Sequence, residues 1–165
     1  MTSTEVVFVM LSAVGSIGAV RLVTSKNVVH AALYLVLTLS MVGAAYLVLA
    51  AGFLAWVQVL IYVGAIVVLL LFSLMLTKAP IGRETLDNQQ RGWAVLVGAG
   101  VLAGLVFLIQ DAFGSAPRIQ IQPATTSEVG ASLFANFVLP FEVVSVLLLA
   151  ALVGAVVIAR RDERP

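Results

Sequence analysis

The chain has 165 residues, 62% of them hydrophobic and only 10% charged, with a formal net charge of +1. Soluble domains carry roughly 25% charged residues, so this composition defines an integral membrane protein, and no basic run points to nucleic acid. The absence of cysteine excludes disulfides, thiolate zinc sites and cysteine-ligated iron–sulfur clusters in this chain.

A helix needs about 20 residues to cross a bilayer core of roughly 30 Å. Five apolar segments approach or exceed that length, and the expected fold is a single all-α membrane domain over residues 1–165. The spans are Val6–Val23, Val28–Ala50, Phe53–Thr77, Gly92–Ile109 and Phe141–Ala159. Met1 to Glu5 lacks the basic start of a secretory signal, so the first segment is expected to remain as a span. Arg21 and Lys26 flank the first connection, Lys78, Arg83 and Arg91 lie in the third, and Arg160, Arg161 and Arg164 form the tail. With five crossings these eight share a side, and only Arg118 of the nine basic residues lies opposite. The positive-inside rule then sets the N-terminus in the periplasm and the C-terminus in the cytoplasm.

The long outer loop between spans four and five holds one more predicted element. Thr125 and Glu128 have capping-box spacing, and Val129, Leu133, Phe134, Phe137 and Val138 follow at helical spacing. A short amphipathic helix on the outer surface is expected there. Pro140 suits the first turn of span five, where its missing N–H is not needed.

No acidic residue falls at the centre of a span. A self-contained proton or sodium carrier needs a buried ionisable relay, and this chain has none. Its intramembrane polar groups are Gln58, Tyr62, Tyr34, Tyr46, Ser73, Thr38, Ser40 and Ser145. Gly100 with Gly104, and Ala150 with Gly154, are small pairs four apart that let helices approach closely.

The third span is the most informative. Twenty-five uncharged residues are interrupted by Gln58 and by Tyr62, Val63, Gly64 and Ala65. The bland reading is tight packing around Gly64. The sharper one is a π-bulge or kink that exposes a carbonyl and lets the helix rotate. Two other residues carry paired readings. His30, near the start of span two, is an interfacial histidine or a proton-path contact. Glu142 is stabilised by the dipole in the first turn of span five, or pairs with a base on a neighbouring subunit. With one histidine and no cysteine, no catalytic or metal-ligating constellation is present.

Four stretches carry a family resemblance: Asn27 to Leu35, Phe53 to Gln58, Tyr62 to Ile66, and Pro140 to Leu149. Together they resemble subunit J of bacterial NADH:quinone oxidoreductase, respiratory complex I, whose mitochondrial relative is NADH dehydrogenase subunit 6. The likeness runs from about Gly18 to Arg160 in the family's order. It implies a multi-pass, non-redox core subunit of the membrane arm in the bacterial inner (plasma) membrane. Its neighbours would be the quinone-module subunits, the small subunit K and the antiporter-like subunits. The complex would use FMN, iron–sulfur clusters and a quinone (ubiquinone or menaquinone), none of them bound here. The resemblance places a π-bulge at Tyr62 to Ala65 that opens and closes a water path from the quinone site.

Two positions depart from the family pattern. Val28 stands where proline often follows the asparagine, and Gly52 where many members have an acid. The first bears only on how that helix begins; the second removes any carboxylate role there. Related cation/proton antiporter or membrane-bound hydrogenase assemblies share this fold and are the alternative. A stand-alone transporter is disfavoured by the missing buried charge.

Overall fold

The computed structural model describes residues 2–76, 91–114 and 124–160. Thr77, the basic residues at 78 and 83, Arg118 with its flanking prolines, and the tail arginines 161 and 164 lie outside the described residues. Within them the chain is helical, with five helices long and apolar enough to cross a membrane.

Helix α1 runs Ser3–Thr24. It begins three residues before the expected span because Thr2 and Glu5 close a capping box. Glu5 Oε2 accepts from the Thr2 N–H at 2.9 Å, and Thr2 Oγ1 accepts from the Glu5 N–H at 3.4 Å. Arg21 lies in its last turn, where a cation complements the dipole. Helix α2 runs Val28–Val48, and Asn27 caps it by accepting from the N–H groups of Val29 and His30.

α2 ends two residues before the expected Ala50. Ala50 takes the left-handed conformation with φ 59°, the Ala51 N–H donates to the Tyr46 carbonyl, and the Ala50 N–H to that of Leu47. This is a Schellman ending, which glycine ordinarily supplies. The chain then turns at once into the third span, made of α3 (Gly52–Val57), a π-helical segment (Gln58–Ile66) and α4 (Val67–Leu76).

α2 is the centre of the packing. It lies against α1 on one side and against α3, the π segment and α4 on the other. The interfaces are built from small residues: Gly18, Ala32, Gly43 and Ala55 are buried, together with Val67 and Gln58. Without a hydrophobic drive inside lipid, such close backbone approach is what holds membrane helices together. Two polar side chains of other spans bond within their own helix. Thr38 Oγ1 donates to the Tyr34 carbonyl at 2.8 Å, and Ser145 Oγ to that of Phe141 at 2.9 Å.

Helix α5 runs Arg91–Phe113, α6 Thr126–Asn136 and α7 Val138–Ala159. The capping box at Thr125 and Glu128 is present, as its spacing predicts. α6 packs on both α3 and α7, so it sits at the end of the bundle that holds the α2–α3 turn. Phe134 and Phe141 meet edge to face across the junction, with ring centres 5.2 Å apart. Among the described elements α5 packs against none, and nothing lies within 4 Å of a Cβ built at Gly100, Gly104 or Gly154. Gly100, Gly104 and Gly154 therefore face no other described part of this chain.

Span five begins at Val138, not Phe141, because Phe137 ends α6 and starts α7 at once. Pro140 is the third residue of the helix, still in its first turn. Glu142 becomes the fifth. The dipole effect falls off within the first turn, so the stabilisation expected for Glu142 does not hold.

Candidate functional site

The third span changes hydrogen-bond register in mid-membrane. From Gln58 to Ile66 the backbone is π-helical, and the Val67 N–H closes the segment by donating to the Tyr62 carbonyl, five residues back. Most π elements are single-turn bulges; this one covers nine residues. The irregularity expected at Tyr62 to Ala65 is there, and it reaches four residues further toward the start of the span.

The register has a consequence for which side chains share a face. In an uninterrupted α-helix nine residues advance about 900°, two and a half turns. Val67 would then lie opposite Gln58. The wider i→i+5 turns bring it back, and both residues are buried: Gln58 is 8% exposed and Val67 1%. The π segment is what seats both ends of the span on α2.

Gln58 is the buried polar residue among those described. Its Nε2 donates to the Leu39 carbonyl of α2 at 3.3 Å. Gly43, one turn beyond Leu39, borders the same contact: a Cβ built there would lie 3.5 Å from Gln58 Cγ and 3.5 Å from Val59 Cγ2, ordinary van der Waals distances. Gly64 has a different neighbour. A Cβ at 64 would meet the Val59 carbonyl oxygen at 3.3 Å, a contact made within the π register itself. Tyr62 is 45% exposed, Val63 is half-buried and Ala65 is exposed. Tyr62 and Ala65 are thus left uncovered by the described residues.

The other two candidate residues lie elsewhere. His30 is exposed in the first turn of α2, and Glu142 is exposed on α7, an element that packs on α6 and not on α2. The fold brings neither to the π segment. Leu39, Gly43 and Val67 belong to the site and escaped the sequence reading. Leu39 contributes a backbone carbonyl, which no residue type advertises, and Val67 matters only once the register is known.

There is no cysteine, and no three His, Asp or Glu side chains gather among the described residues.

Fold and site define a polytopic α-helical membrane protein whose buried polar contact sits at a π-helical break in one span. A family model described as NADH-ubiquinone/plastoquinone oxidoreductase chain 6 matches residues 18–158. The chain is 38% identical to the F(420)H(2) dehydrogenase subunit J of Methanosarcina mazei, over 94% of this chain and 90% of that protein. It is 39% identical to NAD(P)H-quinone oxidoreductase chain 6 of Leptolyngbya boryana, over 96% and 80%. The chloroplastic NAD(P)H-quinone oxidoreductase subunit 6 of Adiantum capillus-veneris is 40% identical, over 90% and 79%. This chain belongs to the NADH-ubiquinone/plastoquinone oxidoreductase chain 6 family. It is a multi-pass membrane subunit of a complex I-type enzyme, assembled with that enzyme's other subunits.

Proposed function

We propose that this chain couples quinone reduction to proton translocation in a bacterial complex I of the inner membrane. Its third span switches between π and α register, and so breaks or completes a water path between the quinone site and the antiporter-like subunits. FMN and iron–sulfur clusters belong to other subunits. The quinone-module subunits and small subunit K are its neighbours in the membrane arm.

The observation that carries this reading is the π-helix Gln58–Ile66. A π register is rare and is frequently found at functional sites. Each residue in it keeps one N–H and one carbonyl, so the same chain can re-pair i→i+4 without new chemistry. Among the described residues no carboxylate is buried, which supports the division of labour: this subunit gates, and partners own the charges that move protons.

The named relatives support a role on the membrane side. One is named for F(420)H(2) as donor and others for NAD(P)H, yet they are 38% and 39% identical to this chain. That likeness across differently named enzymes supports a role that does not depend on the donor. The Methanosarcina mazei relative favours a second reading, the same role in a complex fed by a different donor.

Two measurements test the proposal. Purification through a tag on this chain in mild detergent should bring down NADH-oxidising flavin and iron–sulfur subunits; a complex oxidising only F(420)H(2) selects the second reading. In the assembled complex, Gly64→Val should lower protons moved per electron, because a β-branched side chain stiffens the backbone where it must re-pair. Leu70→Val, a matched change outside the π segment, should leave the ratio at wild-type. An unchanged ratio in an intact Gly64→Val complex makes the glycine mere packing and removes the gating role.

A further inference from the structure

We infer that one face of α7 is a docking site for a transmembrane helix of another subunit, and that this helix brings a lysine or arginine to Glu142. The inference needs only the chain's place in a multi-subunit complex. It stands or falls apart from the register switch proposed above.

Glu142 is the one ionisable residue among the 22 of α7. It is the fifth residue, about 6 Å from the helix start at 1.5 Å per residue. The whole helix is about 33 Å long, close to the thickness of a hydrocarbon core. Centred on the bilayer, α7 holds Glu142 just inside the outer border of that core. The acids Glu5 and Glu128 are each committed to a capping box. Glu142 is exposed, and no hydrogen bond or ion pair reaches it among the described residues. The basic residues within them, at 21, 26, 91 and 160, fall on the other side of the five-span chain.

The carboxylate also selects a face. Leu139, Val146, Leu149, Val153 and Val156 share a stripe with Glu142 at alternating spacings of three and four, and all five are exposed. Phe141, about 100° round the helix, takes the contact with Phe134 of α6, the one described element that packs on α7. Lipid tails solvate an apolar helix face as well as a protein does, so exposed Leu and Val by themselves call for no partner. Glu142 breaks that balance. A charge-assisted hydrogen bond to a neighbouring cation is gained on its stripe and on no other. A lone polar residue in an apolar seam of this spacing also fixes axial register, because one alignment of the two helices satisfies it.

Crosslinking in the assembled complex makes the test. A photo-reactive benzoylphenylalanine at Leu149, on the stripe, should join this chain to one other subunit. The same group at Leu147, about 140° round the helix from Glu142, should not reach that subunit. Glu142→Lys sets two cations together and should cut the Leu149 crosslink about tenfold or more, the worth of one hydrogen bond to a charged group. Glu142→Gln keeps the shape and should cut it less. Changing the joined subunit's lysine or arginine at that level to Glu should restore the crosslink to Glu142→Lys. A helix that merely misfolds would not be rescued by a second charge in another chain. Equal joining from Leu147, no subunit joined from Leu149, or a crosslink indifferent to Glu142→Lys overturns the inference. So does a loss that no reversal in the joined subunit cures, including one cured by Arg118→Glu within this chain.

Discussion

Gly18 of α1 lies so close to Thr38 of α2 that a Cβ built on the glycine would sit 2.9 Å from the threonine Oγ1. That hydroxyl is itself committed, donating to the Tyr34 carbonyl at 2.8 Å. Neither partner can move without loss, so the contact sets how near α1 comes to α2. Gly15 repeats it one turn away, where a Cβ would meet Met41 Cβ at 3.2 Å.

Gly18→Ala should therefore overpack the α1–α2 interface and lower stability by about 1–3 kcal/mol. Thr38→Ala in the same chain should recover part of that, because it removes the obstructing oxygen. The amount of intact complex surviving a heating series in detergent measures both. Simple additivity of the two changes would mean that the residues do not press on each other.

The α2–α3 turn offers a stabilising change. Ala50 has φ 59°, a conformation that is unfavourable by roughly 1–2 kcal/mol for an L-residue with a side chain. Ala50→Gly should stabilise the hairpin by about 0.5–1 kcal/mol after glycine's greater entropy loss. Ala50→Val should destabilise it. The same heating series reads the signs, and reversed signs would reject the left-handed assignment.

The helix before span five should loosen in acid. Backbone and side-chain hydrogen bonds from Thr125 hold the Glu128 carboxyl below its ordinary value. A group with a depressed folded pKa contributes stability above its unfolded pKa and loses it as pH falls through the folded one. Amide exchange in α6 should accordingly speed up as the pH drops below the usual carboxylate range. Glu128→Gln keeps a capping side chain and should flatten that dependence. An equal acid response in both proteins would assign it to another group.

Much of this architecture was legible in the residues, and the parts that were not have physical reasons. Spans appear in sequence because a run such as Val67 to Leu76 has no other solvent than lipid. The Thr125–Glu128 box announces α6 by its spacing; the Thr2–Glu5 box has the same spacing, and α1 begins there, before the apolar run that marks the span. The end of α2 was hidden because alanine, not glycine, takes the left-handed position. Gln58 and Gly64 stood out as polar and small groups inside a span. The extent of the π segment did not, since the choice between i→i+4 and i→i+5 pairing is made by backbone groups common to every residue.

Orientation follows from the basic residues. Eight of nine fall on one side of a five-span chain, and the expected result is a cytoplasmic C-terminus. A fluorescent protein that matures only in the cytoplasm, fused after Pro165, should be bright, and alkaline phosphatase at the same point inactive. The opposite pair of signals would invert the topology.

The register of the third span can be seen directly in the whole complex by cryo-electron microscopy, with one sample at rest and one frozen during turnover. The account predicts two populations. In one the Val67 N–H donates to the Tyr62 carbonyl, as in the structure described above; in the other it donates to the Val63 carbonyl, with Val67 turned away from α2. A single π register from Gln58 to Ile66 in every class of a pumping complex would contradict it.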